Sequence, residues 1–231
     1  MKEMNLVIFD ADNTLIDFHK CERFALEYLF EKLNLHLTDE IATLFSATDR
    51  SLWASGKWEG IRIETNAIPL KRFELLFSRF NIKFNNYSLA NNLFCEGLSK
   101  AVYPLDNVHE IVEYLFNKNI KICIATNGLV QLQYPRIINT SFGKYITKIV
   151  ASEEVGKNKP NPKIFNKILK FTKVKNEHAI MVGDSLTKDI LGAKNANIKS
   201  IWFNPKGLIN NSNVVPNHEI KSLLEIKKLF E

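Results

Sequence analysis

Cysteine is scarce in this chain. Its 231 residues include three, Cys21, Cys95 and Cys123, far apart and forming no Cys-x-x-Cys pair. All lie inside apolar patterns, where a thiol behaves as a small hydrophobe, so buried free thiols are expected. Long apolar runs are missing as well. No run approaches the ~20 residues needed to cross a bilayer, which argues against membrane-spanning helices. The first apolar run starts at Leu6, leaving no room ahead of it for the charged region, apolar stretch and cleavage site of a signal peptide, and a cytoplasmic location is expected. No Gly-x-Gly-x-x-Gly follows that run and no Gly-x-x-x-x-Gly-Lys-Ser/Thr occurs anywhere, so neither dinucleotide binding nor P-loop ATP hydrolysis is supported. The chain also lacks a dense basic stripe: 31 Lys and Arg exceed 25 Asp and Glu, giving +6, but they are scattered over many segments. Such a surplus fits a small anionic ligand better than a nucleic acid polymer.

What is present is apolar residues in regular short blocks, and at 45% hydrophobic the chain can bury a sizeable core. Runs bounded by polar or turn residues recur as LVIF (6–9), IKICIA (120–125), KIVA (148–151), AIMV (179–182) and SIWF (200–203). Continuous apolarity of this length marks strands buried on both faces of a parallel sheet. Between the later runs lie helical periodicities: DNVHEIVEYLFNK (106–118), a segment over about 128–140, NPKIFNKILKF (161–171) and LTKDILGAKNA (186–196). The alternation predicts a doubly wound, Rossmann-like α/β core with right-handed crossovers, spanning residues 1–16 and 98–231. Residues 17–97 differ. They carry helical patterns such as CERFALEYLFEKL and LKRFELLFSRF, show no convincing strand run, and are too numerous for a loop, so an inserted all-helical cap domain is expected.

Acids and hydroxyls follow the apolar runs. Asp10 and Asp12 follow the first, Thr126 and Asn127 the second, Gly183 and Asp184 the fourth. In a parallel sheet these ends share one edge, where open α/β sheets bind their ligands. Lys159, on the loop after IVASEEVG, would join them. A single Asp after a strand is usually a cap or a turn former. Several converging carboxylates need another explanation, since two charges ~4 Å apart repel by about 4 kcal/mol at an effective dielectric near 20. Mg2+, a hard cation that takes oxygen ligands, would remove that penalty.

The four motifs DADNT (10–14), TNG (126–128), KNKP (157–160) and GDSLTKD (183–189), in this order and each after a strand, resemble those of the haloacid dehalogenase-like hydrolases. The resemblance covers core and cap, and implies roles for the matching residues. Asp10 would be the nucleophile, forming an aspartyl-phosphate. Asp12 would act as general acid and then base, with its backbone carbonyl also on the metal. Thr126 and Asn127 would bind phosphoryl oxygens, Lys159 would neutralise charge on the nucleophile and the phosphoryl group, and Asp184 would complete a Mg2+ site formed with Asp10 and Asp12. Asp189 would stand behind them, holding Lys159 or a metal-bound water. Members that dehalogenate lack the second acid of the first motif, so Asp12 implies phosphoryl chemistry. A response-regulator receiver also carries acids after its first strand, but the long insertion and GDSLTKD count against that fold.

Within the family, ATNGLVQLQ, SEEVGKNKPNPKIF and VGDSLTKDILGAKNANIKSIWFN look like the bacterial 5′-nucleotidases of pyrimidine and non-canonical nucleoside monophosphates. That likeness implies a small phosphorylated metabolite, a nucleoside monophosphate first, as the partner. Oligomeric state is not legible. In the cap, Phe18, Trp53 and Trp58 could stack on a base, and Arg50, Lys57 or Arg62 could meet a polar edge, although helix aromatics are more often core. Another metabolite ester, a phosphomutase, and a non-enzymatic binding protein of the same fold are the alternatives.

Overall fold

The computed structural model describes residues 4–64 and 67–231. The chain forms two compact units, Met1–Phe18 with Val102–Glu231, and His19–Ala101. Strand β1, Leu6–Phe9, opens the first unit with four fully buried apolar residues.

The inserted unit is built from helices α1 (Phe18–Lys32), α2 (Asp39–Ser55), α3 (Ile68–Arg79) and α4 (Tyr87–Lys100). Two starts are fixed by side-chain caps: Thr38 Oγ1 accepts the Ile41 N–H at 3.2 Å, and Asn86 Oδ1 accepts the Leu89 N–H at 3.0 Å. Phe45, Phe73 and Phe94 pack with ring centroids 5.1 to 5.7 Å apart. Gly97 brings α4 against α1, since a Cβ there would lie 2.9 Å from Tyr28 Cβ. The unit is not wholly helical. A short antiparallel pair, β2 (Lys57–Trp58) with β3 (Ile61–Arg62), joins α2 to α3. Two residues per strand is too short to leave a periodic signature, and the turn depends on Gly60 at φ +83.

The first unit continues with α5 (Val108–Asn117), β4 (Lys121–Thr126), α6 (Val130–Ile138), β5 (Lys148–Ala151), α7 (Lys163–Thr172), β6 (Ala179–Gly183), α8 (Leu191–Asn195), β7 (Lys199–Phe203), β8 (His218–Ile220) and α9 (Ile226–Phe230). The strands form one parallel sheet in the order β5-β4-β1-β6-β7-β8, a doubly wound α/β core with β1 inside it. Helix α7 buries the stripe Ile164, Phe165, Ile168 and Leu169 on Leu6, Ile8, Cys123 and Met181 of the sheet. Strand β8 has two exposed residues of three and was not expected from the sequence.

The strand register brings distant parts of the chain to one place. Phe9 lies opposite Ile124 of β4 and Val182 of β6, so the chain leaves these three strands at one edge. The segment read as one helix over 186–196 begins instead with a π-helical turn, Leu186–Ile190, before α8. Cys21 and Cys123 are buried free thiols, whereas Cys95 is half-buried. Among the described residues, no helix is long and apolar enough to cross a membrane.

Candidate active site

Asp10 leaves β1 with its N–H on Val182 O at 2.9 Å. Its carboxylate faces Lys159: Nζ donates to Asp10 Oδ1 at 2.5 Å and to Ala125 O at 2.7 Å. The same Nζ is 2.7 Å from Asp189 Oδ1, an ion-pair contact outside hydrogen-bond alignment. Lys159 is carried on a loop that Asn127 anchors, accepting the Lys159 N–H at 2.8 Å and donating back to Lys159 O at 3.4 Å. A residue of the second motif thereby fixes the lysine of the third.

Asp184 follows β6, where Thr14 Oγ1 accepts its N–H at 3.1 Å and Trp202 Nε1 donates to its carbonyl at 2.9 Å. Asp189 enters through the π-helical turn: its Oδ2 accepts the Ser185 N–H at 3.0 Å, and it is 1% exposed. Gly183 is required by this approach, since a Cβ there would stand 2.5 Å from Asp189 Cγ. Ligand oxygens of Asp10, Asp184 and Asp189 all lie within 4.8 Å of one another. Thr126 is buried at the end of β4, its hydroxyl donating to Asn127 O at 3.5 Å.

The electrostatics follow from burial and an excess of acid. Desolvation, then the Asp189 and Asp184 charges, push the Asp10 carboxyl well above its ordinary pKa, against the pull of Lys159. Burial and Asp189 push Asp184 up to about 6. Burial works against the Lys159 ammonium, yet Asp10 and Asp189 outweigh it and hold its pKa above the usual lysine value. Three carboxylates thus crowd one cation. A donor set made only of oxygens, too negative for its single lysine, fits Mg2+.

The Asp12 carboxylate is not part of that cluster and meets α6. Its Oδ1 accepts from Arg136 Nη2 at 2.7 Å and its Oδ2 from Gln133 Nε2 at 3.1 Å. Neither Arg136 nor Gln133 was expected from the sequence; their signal was two polar residues three apart on the helix after TNG. Thr14 and Trp202 were missed as well, the first lying inside a motif read only for its acids.

The residues considered as base-readers fare unequally. Phe18 lies 5.6 Å from the Arg136 guanidinium, and Trp58 packs against Leu52, Ile63 and Ile68. Trp53 is 49% exposed and donates Nε1 to Asp49 Oδ1 at 3.1 Å. Arg50, Lys57 and Arg62 are exposed.

The family model described as haloacid dehalogenase-like hydrolase matches residues 7–203. The pyrimidine 5′-nucleotidase YjjG of Escherichia coli is 30% identical, covering 97% of this chain and 96% of that protein. The pyrimidine 5′-nucleotidase PynA of Streptococcus pneumoniae is 28% identical, covering 95% and 92%. The magnesium-bound crystal structure of YfnB from Bacillus subtilis superposes with a TM-score of 0.89 at 26% identity over the whole of both chains.

Proposed function

Because the chain belongs to the haloacid dehalogenase-like hydrolase family, we propose that it is a Mg2+-dependent phosphatase that hydrolyses a nucleoside 5′-monophosphate through an aspartyl-phosphate on Asp10. The observation that carries the reading is the buried Asp10–Lys159 pair, 2.5 Å apart, with Asp184 and Asp189 beside it. A carboxylate held 2.5 Å from a buried ammonium is placed to attack phosphorus, and Lys159 pulls it towards the ionised form against the effect of burial.

In the first step an Asp10 oxygen bonds to phosphorus as the bond to the ester oxygen breaks, and the leaving alkoxide takes a proton from Asp12. In the second, Asp12 takes a proton from water as the water oxygen bonds to phosphorus and the Asp10–phosphorus bond breaks, releasing inorganic phosphate. Lys159 holds charge on Asp10 and on the phosphoryl oxygens, with Thr126 and the backbone at Asn127 as further donors. Asp10 and Asp184, with the Asp12 carbonyl, would hold Mg2+. When bound, Mg2+ supplies positive charge that offsets the crowded carboxylates and the phosphoryl oxygens. The nucleotide part of the reading leans on YjjG and PynA, whose names state pyrimidine 5′-nucleotidases.

The test is release of inorganic phosphate from a panel of pyrimidine and purine monophosphates, phosphoglycolate and sugar phosphates, with Mg2+ and with EDTA. Fastest turnover of a nucleoside monophosphate is the expected result. Preference for another ester overturns the substrate and keeps the chemistry, and transfer of the phosphoryl group back to the sugar identifies a mutase. No turnover of any ester overturns the reading.

A further inference from the structure

Arg136 is the largest fully buried side chain among the described residues, 0% exposed, and one of its guanidinium nitrogens ends on a carboxylate that is itself 24% exposed. Burying a guanidinium is costly unless it is paired and hydrogen-bonded, so its placement under one particular acid calls for a reason. The contacts close a ring. Arg136 Nη2 donates to Asp12 Oδ1 at 2.7 Å, Gln133 Nε2 donates to Asp12 Oδ2 at 3.1 Å, and Arg136 Nη1 donates to Gln133 Oε1 at 3.3 Å. Gln133 and Arg136 are one turn apart on α6 and therefore share a face. Gln133 is tied further, its Nε2 reaching Asn127 O at 3.3 Å. Gly128, at φ +139, leaves it room: a Cβ there would lie 3.1 Å from Gln133 Nε2.

From this ring we infer that Gln133 and Arg136 are positioning residues for Asp12, fixing where its carboxylate stands for proton transfer to and from the ester oxygen. The inference rests on the acid and base role given to Asp12 above. Each oxygen of Asp12 takes one donor from α6, so the plane of the carboxylate is set by a helix and not by solvent. Each oxygen keeps a lone-pair direction for a reacting group. Neither Gln133 nor Arg136 needs to touch substrate. A purely structural arginine would fill the same volume, but its loss would lower stability and depress every ester alike.

Leaving groups separate these roles. An alkyl phosphate needs its departing oxygen protonated, whereas 2,4-dinitrophenyl phosphate releases a stable anion that does not. The experiment compares Gln133→Leu, Arg136→Met, Arg136→Lys and Asp12→Asn with the full-length protein and Mg2+. It uses the fastest alkyl monophosphate of the panel above, the dinitrophenyl ester, and the melting temperature of each variant. Asp12→Asn should lose about 100-fold more kcat/KM, which reports the leaving-group step and not the shared hydrolysis of the aspartyl-phosphate, on the alkyl ester than on the aryl ester. Gln133→Leu and Arg136→Met should show the same selectivity in kcat/KM at about 10-fold. Arg136→Lys, which keeps charge and one donor, should recover part of it. Equal losses of kcat/KM on both esters in the Gln133 and Arg136 variants, with Asp12→Asn still selective, overturn the positioning role and leave the Asp12 role standing. An unselective Asp12→Asn overturns both. If Arg136→Met does not fold, Gln133→Leu, which removes only the second donor, decides alone.

Discussion

Each unit of the protein buries a cation among acids, and the two differ in how the charges balance. In the helical unit Arg72 Nη1 donates to Asp49 Oδ1 at 2.9 Å and Nη2 to Asn91 Oδ1 at 2.8 Å. The rings of Phe45, Phe73 and Phe94 surround it, the last 4.6 Å from its guanidinium carbon. That is one charge met by one charge, with π-faces and an amide filling the rest. At the sheet edge, one lysine faces three carboxylates. A balanced buried pair is a packing element; an unbalanced one has its ionisations displaced and is prepared for a ligand of the missing sign. Burial alone does not distinguish function from architecture here, whereas the local charge sum does.

The largest expected effect comes from neutralising the unbalanced site at its centre. Asp10→Asn should cut turnover about 10,000-fold or more, in the range found when a nucleophile is removed, while leaving circular dichroism unchanged. Near wild-type rates would remove Asp10 from covalent catalysis. Supplying the missing charge is the next test. EDTA should abolish activity, and Mg2+ should restore it and raise the melting temperature, because the cation relieves repulsion present only in the folded state. Ca2+ should substitute badly, its larger and looser oxygen shell displacing Asp10. A melting temperature indifferent to Mg2+ would end the charge-sum argument.

On the balanced side, Asp49→Ala leaves Arg72 buried without its counter-charge and should cost about 3–5 kcal/mol in urea denaturation. A loss under about 1 kcal/mol would mean that the rings and Asn91 hold Arg72 unaided.

The smallest effect concerns Glu22, which lies beside that network and donates no charge to the balance at low pH. Burial, then the Asp49 charge, push its carboxyl up to about 7, against a hydrogen bond from Ser46 Oγ and the pull of Arg72. The fold therefore favours the protonated form. The contribution is fully present below the unfolded value near 4.5 and is lost as pH rises through about 7. It amounts to about 3 kcal/mol at most. Asp10 and Asp184 act with the same sign, so the metal-free protein should lose stability between about pH 4 and 7, and Glu22→Gln should flatten part of that slope. An unchanged slope would place Glu22 outside the titration.

The sheet edge was legible in the sequence because Asp10 and Asp184 each directly follow a strand, and strand ends are marked by where apolarity stops. Leu6–Phe9 and Lys148–Ala151 coincide with the apolar runs LVIF and KIVA. What escaped depends on partners distant in the chain. Arg136 reads as a polar residue of an amphipathic helix, and its pairing with Asp12, 124 residues away, exists only in the folded chain. The π-helical turn at Leu186–Ile190 has the residues of an ordinary helix, and is recognised only by Ile190 N donating to Ser185 O at 3.2 Å while Asp189 Oδ2 accepts the Ser185 N–H. The β2–β3 pair and β8 are too short, or too exposed, for alternation to register.

Lys159 has one more consequence, for chemical labelling. Its ammonium contacts three oxygens, those of Asp10, Ala125 and Asp189, and its side chain is 2% exposed. Amine-reactive reagents attack neutral, accessible amines, and this one is neither. In a mass-spectrometric map of acylated lysines, position 159 should stay dark in the native protein while surface lysines react. Its first modification would then mark the moment the sheet edge opens, giving a covalent clock for unfolding of that edge that needs no substrate and no assumption about what the enzyme hydrolyses.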